Sequence, residues 1–265
     1  MKLVHKILKE ATFENDQATV DLAKKYISKI EEYLNKYNGA NNNVVEFHGD
    51  QGYIIVHVGE LKIYLMDSRY YRGSSGGYRD NLIAIHNSKF KFDKETGKLN
   101  YEFNKSTLLH ELVHYLDDKR ATPGDMAKTG EQQAKKSGIA DKAYFNNPYE
   151  FNAHFLQLVF GKLPELIKEP NGIPKEFNEF RQEIFRGNNR LQTFYESLDE
   201  KLKKNFLKRL YNVFTVTKKG ELQVNKQIQD SNLENAPEYA EKKKDNLVKS
   251  LYKYLKNFFS NTEAA

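Results

Sequence analysis

The sequence predicts an α+β protein: a small twisted sheet near the N-terminus, then a mostly helical remainder. Two changes of period carry that prediction. Apolar residues recur at three- and four-residue steps through residue 37, switch to alternation between Val44 and Phe103, and return to the helical spacing from Ser106 onward. The length, 265 residues, suits one large domain or two small ones, since domains run to about 100–200 residues. The change to uninterrupted helix suggests a division into residues 1–165 and a helical region, 166–265, packed on the first part.

In order along the chain, residues 14–37 read as the first helix, with Val20, Ala23, Ile27, Ile30, Leu34 and Tyr37 on one face and Gly39 as the stop. Val44 to Phe47, Tyr53 to Val58 and Leu61 to Leu65 are short β-branched and aromatic runs separated by Gly49–Gly52 and Gly59-Glu60, which predicts hairpin-connected strands. Residues 72–79, RGSSGGYR, read as a flexible Gly/Ser loop. Leu82 to Ile85 and Leu99 to Phe103 are further strand candidates. Residues 106–119 form a helix, with Ser106 or Thr107 near its cap and Pro123-Gly124 beyond its end. The stretch 125–140 is polar and aperiodic, a loop or flap. Asn147-Pro148 opens the next helix, with Asn as cap, Pro in the first position and Gly161 past its end. Helices follow at 175–186, 190–214 and 236–260.

Composition narrows the class. Aromatic residues make up 13% of the chain, too many for a disordered one. No window approaches the roughly 18 uninterrupted apolar residues of a membrane span. The start, with Lys2, Lys6 and Lys9, lacks the apolar run of a conventional signal peptide, so a soluble protein is expected. With no cysteine, disulfide frameworks, Cys-based zinc fingers and thiol nucleophiles are excluded. The 42 Lys/Arg against 36 Asp/Glu leave a net charge of +6. From Lys201 onward there are 14 basic against 7 acidic residues, so the excess belongs to the C-terminal quarter. An anionic partner for the basic helix 236–260 is one reading, and a lysine-rich solvated face is the plainer one.

The chemistry concentrates in His110-Glu111-Leu112-Val113-His114, an HExxH sequence. Residues four apart on a helix share a face one turn apart, so both imidazoles can converge on one ion. Glu111 lies about 100° round from His110, beside the ion rather than on it, where a carboxylate can take a proton from activated water. Leu108, Leu109, Leu112, Val113 and Leu116 supply the apolar faces that bury the helix. Among seven histidines, a chance HExxH is expected in on the order of one sequence in a hundred.

A hydrolytic zinc site needs a third protein ligand and one open position. Asp117 stands seven residues from His110, about 10.5 Å along the helix, too far to share one ion with both histidines. It reads as a supporting carboxylate or as a partner for Lys119 or Arg120. Glu150, on the next helix, is the better candidate, although three residues after Asn147 it also occupies the place of a capping-box glutamate. His154, one turn further, is its rival. Tyr144, Tyr149 and His154 are candidates to hold an oxyanion. The other histidines, His5, His48, His57 and His86, have no partner at ligand spacing.

Helix 107–117 followed by Pro148-Tyr149-Glu150-Phe151-Asn152-Ala153 resembles the gluzincin group of zinc metallopeptidases, over roughly residues 80–160. The resemblance implies a zincin-like catalytic domain at 1–165 and one Zn2+ held by His110, His114 and Glu150. It also implies Glu111 as general base, Tyr144 or His154 on the oxyanion, and a protein or peptide substrate. In such folds an edge strand above the metal holds the substrate backbone, and Leu82 to Ile85 is its expected counterpart. The sequence departs from the thermolysin-like form in having no Asn directly before Glu150 and His rather than Asp at 154. Two other readings stand beside the peptidase: a non-enzymatic binding or structural protein on a zincin scaffold, such as a virion-associated one, and a basic nucleic-acid- or membrane-associated protein.

Overall fold

A computed structural model of the chain describes residues 13–71, 76–120, 144–168 and 172–230, with side chains between 15 and 219. The stretch 125–140, the helix expected at 236–260 and His5 lie outside the described residues. The protein is mixed α+β, with a six-stranded sheet. Its described residues fall into two compact units: Gln17–Gln157, and a second made of residues 13–16 with Leu158 onward. Among the described residues no helix is long and apolar enough to cross a membrane.

In the first unit, α1 (Phe13–Lys36) runs into β1 (Val45–His48), a 3-10 turn at Gly49–Gln51, β2 (Tyr53–Val58) and β3 (Leu61–Asp67). Then come β4 (Gly76–Arg79), β5 (Leu82–Asp93), β6 (Lys98–Glu102) and α2 (Lys105–Arg120), with α3 (Pro148–Lys168) beginning here. The strand order is β1-β2-β3-β5-β4, with β6 paired to the far half of β5. All pairs are antiparallel except β3 with β5. Gly59 takes φ +62° at the first position of the β2–β3 turn, a conformation that favours glycine.

The glycine-rich stretch departs from the sequence reading. Residues 76–79 are a strand, not a loop, because Asp80 and Asn81 both adopt positive φ, 49° and 62°, and close a two-residue hairpin pairing Arg79 with Leu82. Such turns draw on Asp and Asn, which tolerate the left-handed region. As a result Leu82–Ile85 is flanked on both sides, by β3 and β4. The edge strand is β4, not the expected 82–85.

Alternation sends Ile54, Val56, Ile63, Leu65, Ile83 and Ile85 to one face of the sheet. There they meet Ala23, Ile27, Ile30 and Leu34 of α1 and Leu108, Leu112, Tyr115 and Leu116 of α2. The cap of α2 is Asn104 rather than Ser106 or Thr107: its carbonyl oxygen Oδ1 accepts from Thr107 N at 2.9 Å. Helix α3 starts as expected, with Asn147 Oδ1 accepting from Tyr149 N at 3.0 Å. It does not stop at Gly161 but continues through Pro164 to Lys168, because Val159, Phe160, Leu163 and Leu166 stay buried.

The second unit continues with α4 (Phe177–Phe185), α5 (Asn189–Ser197) and α6 (Glu200–Asp230). The helix expected over 190–214 is two helices. Leu198 is extended and Asp199 recaps the chain by accepting from Leu202 N at 2.7 Å. Phe185 packs edge to face on Tyr195 and Phe206, as Phe194 does on Phe206, and Tyr195 tilts against Phe206. Arg209 and Asp16, both buried, form a two-pronged ion pair at 2.6 and 3.1 Å.

Candidate metal centre

Helix α2 is buried from Thr107 to Asp117 without interruption, so its polar side chains are under cover together with its leucines. His110 and His114, one turn apart, bring their Nε2 atoms to 3.1 Å of each other. Glu150 reaches in from the first turn of α3. Its Oε2 lies 3.3 Å from His110 Nε2 and its Oε1 3.4 Å from His114 Nε2. The capping-box alternative for Glu150 does not hold, since its carboxylate faces the histidines and the cap bond of Asn147 goes to Tyr149 N.

Tetrahedral zinc with donors at about 2.1 Å holds them roughly 3.4 Å apart. The imidazole–imidazole separation and the two carboxylate–imidazole separations, each made by a different oxygen of Glu150, are close to that edge, and two imidazoles with one carboxylate are donors zinc accepts. His154 stands close by, its Nε2 3.9 Å from Glu150 Oε2 and its ring 4.4 Å from that of His110. Ligand atoms of His110, Glu150 and His154 all lie within 4.8 Å of one another. The site thus gathers four side chains with donor atoms, His110, His114, Glu150 and His154. Ala153, fully buried, keeps α3 slim beside them.

The electrostatics agree with a site built for a cation. Burial alone would raise the Glu150 carboxyl, but hydrogen bonding and charge from His110 and His114 pull it far below the usual carboxylate range. For His114 burial, the largest effect, disfavours the charged ring. Glu150, with smaller help from Glu111 and Asp117, outweighs it and holds the pKa above its ordinary value.

Glu111 is buried on the side of α2 that faces β4. A Cβ built on Gly76 would stand 3.0 Å from Glu111 Oε1 and 2.7 Å from the Thr107 methyl. Tyr144, just before α3, is half exposed with its ring 5.7 Å from that of His154. The Phe145 ring lies 5.1 Å from that of His154 and 5.3 Å from that of Tyr144. Tyr149 is buried, as a neighbour of Glu150 pointing elsewhere should be.

Three contributors went unassigned in the sequence. Asn152 donates from Nδ2 to Asp117 Oδ2 at 2.7 Å, both buried, which fastens α3 to α2 close to His114 and Glu150. Gln157 Nε2 fastens them again at Ser106, 3.0 Å from both its carbonyl and its hydroxyl. Gly76 brings β4 against Glu111. Asp117, read from the sequence as a supporting carboxylate or as a partner for Lys119 or Arg120, accepts the bond from Asn152. His48 and His57 do have a shared partner, the Glu46 carboxylate at 3.3 and 2.6 Å, on the partly exposed face of β1 and β2. Comparison with known protein families, curated proteins and solved structures finds no match to this chain.

Proposed function

We propose that this chain is a zinc-dependent endopeptidase of the zincin type, with the gluzincin ligand set His110, His114 and Glu150 around one zinc ion. One observation carries the reading: His110 Nε2 and His114 Nε2 stand 3.1 Å apart and the Glu150 carboxylate spans them, its Oε2 3.3 Å from the first and its Oε1 3.4 Å from the second, separations close to the edge of a zinc tetrahedron. When bound, zinc supplies an acidified water, with its pKa near about 7, and a Lewis acid for the scissile carbonyl. Glu111, next to a ligand but turned toward β4, takes the proton that the attacking water loses and returns it to the leaving amine nitrogen. The Tyr144 hydroxyl and the His154 imidazole donate to the developing oxyanion.

An extended protein or peptide is the substrate that suits the surroundings. β4 ends the strand order, so among the described residues its outer edge has backbone groups to give to a substrate strand. The test is Glu111→Gln. It should retain one zinc per chain and lose about 10²- to 10⁴-fold in peptide turnover, the usual contribution of a general base. Changing His110 or His114 to Ala should lose the ion itself. A zinc-loaded wild-type protein that cleaves nothing in a broad peptide screen, or a Glu111→Gln protein that cleaves at the wild-type rate, defeats the proposal.

A further inference from the structure

We propose that Gly76 is a positioning residue, and that its missing side chain is what seats the Glu111 carboxylate against the edge strand. The inference deepens the peptidase reading and rests on it for its consequence, although the seating itself does not require turnover.

Gly76 and Gly77 are neighbours on β4, and their surroundings differ sharply. A Cβ on Gly77 meets nothing within 4 Å. A Cβ on Gly76 meets Thr107 Cγ2 at 2.7 Å, Glu111 Oε1 at 3.0 Å and the backbone oxygen of Ala84 at 3.2 Å. Gly76 is not among the positive-φ glycines, so its backbone is one that any residue adopts. What demands glycine there is space. The Ala84 oxygen belongs to β5, which is held by pairing on both sides, and cannot retreat. The strain of any added side chain therefore falls on Thr107 and Glu111.

Those two residues are one turn apart and share a face of α2. That face meets β4, while the face one residue back, His110 and His114, meets Glu150. Base and edge strand are thus in contact through a backbone with no side chain between them. A substrate strand laid along β4 would have its distance from the base set by that contact. A base displaced by a few tenths of an ångström to 1 Å loses rate steeply, with about 100-fold per ångström a representative figure. The metal ligands, on the other face, would not feel the change.

The experiment compares Gly76→Ala, Gly77→Ala and the double variant Gly76→Ala/Thr107→Ser, which removes the methyl conflict and leaves the carboxylate conflict. In the zinc-loaded proteins, Gly76→Ala should lose about tenfold or more in kcat, with KM and zinc affinity within about twofold. Gly77→Ala, on the same strand but with open space around its added Cβ, should lose less in kcat than Gly76→Ala. Thr107→Ser should restore stability to the double variant without restoring kcat. A second readout needs neither zinc nor turnover. In metal-free protein, the 13C carboxylate resonance of Glu111, assigned by its loss in Glu111→Gln, should move in Gly76→Ala and stay in place in Gly77→Ala.

An unmoved resonance in Gly76→Ala, equal effects of the two single variants, or full rescue of kcat by Thr107→Ser overturns the proposal. A moved resonance in a protein that hydrolyses no peptide upholds the seating and removes the peptidase reading, so the two failures are separable.

Discussion

Replacing Asn152 by Ala should weaken zinc binding without touching a ligand. Asn152 Nδ2 donates to Asp117 Oδ2 at 2.7 Å, and both residues are nearly inaccessible. Hydrogen bonds to a charged acceptor contribute about 1.5–3 kcal/mol, and a buried carboxylate deprived of a donor belongs at the upper end. Asp117 follows His114 by three residues and Asn152 follows Glu150 by two, so the bond lies within a turn of the ligand contact on both helices. If the loss is felt at the ion, about 1.4 kcal/mol per tenfold makes it roughly 10- to 100-fold in zinc affinity, the range found for partners of metal ligands. Competition against a chelator of known affinity measures that directly, and urea unfolding in EDTA gives the metal-free cost. Gln157→Ala is the control. It removes two bonds to Ser106 joining the same helices, but Gln157 stands seven residues, about 10 Å, from Glu150. It should cost about 1–2 kcal/mol of stability and leave zinc affinity within about threefold. Equal zinc affinity in Asn152→Ala and wild type, or an equal loss in Gln157→Ala, would refute the claim that this bond sets the ligand spacing.

Two further outcomes test the electrostatics of each unit. Asp67 is buried and accepts from Arg69 N at 2.8 Å and from its guanidinium at 2.7–3.1 Å. The Arg69 hydrogen bonds, working against burial, hold its pKa below the ordinary value. A folded pKa below the unfolded one contributes stability that is complete above about pH 4–5 and is lost as pH falls through the folded value. Asp67→Asn should therefore flatten the acid limb of the stability–pH curve, at a cost of about 1 kcal/mol at neutral pH because Arg69 is largely exposed. An unchanged acid limb would assign the dependence elsewhere. Asp16→Ala removes the partner of a buried guanidinium and should cost about 3–5 kcal/mol in urea unfolding. A loss under 1 kcal/mol would show that other groups carry Arg209.

The parts of this fold that could be read from sequence are those where period and local chemistry agree. The stripe from Val20 to Leu34 predicts α1, alternation predicts β2 and β3, and the His110/His114 spacing predicts one shared face because helix geometry leaves no alternative. Misreadings arise where a long-range partner overrides a local signal. Glycines at 76 and 77 suggest a loop until β5 pairs with them and Asp80-Asn81 turns the chain. Gly161 suggests a stop until burial of Val159, Leu163 and Leu166 outweighs it. Asn152 gave no sign of its role, because a lone Asn on a helix discloses nothing about the carboxylate it meets 35 residues away. Glu150 and His154 share a helix face one turn apart, so both come to stand beside His110, with ligand atoms within 4.8 Å of one another, and helix spacing alone ranks neither.

Helix α2 sets the terms of a last test, because every side of it is occupied. Leu108, Leu112 and Leu116 face the core, Thr107 and Glu111 face β4, Asp117 meets Asn152, and Tyr78 on β4 donates its hydroxyl to Asp118 at 2.7 Å. Two buried imidazoles and a largely covered carboxylate are an expensive way to fill space. Desolvation of such groups is repaid only in part by their mutual attraction, and well-packed apolar replacements are often neutral or stabilising by about 1–4 kcal/mol. If these three residues are there for a metal, the triple variant His110→Leu/His114→Leu/Glu150→Leu should unfold in EDTA at the same urea concentration as the wild type or higher. Zinc should then reverse the order. An ion at 100 times its dissociation constant adds about 2.7 kcal/mol to the wild type and nothing to the variant. A variant markedly less stable than metal-free wild type would mean that the polar cluster stabilises the fold by itself, and the physical reason for placing a cation among these donors would be gone.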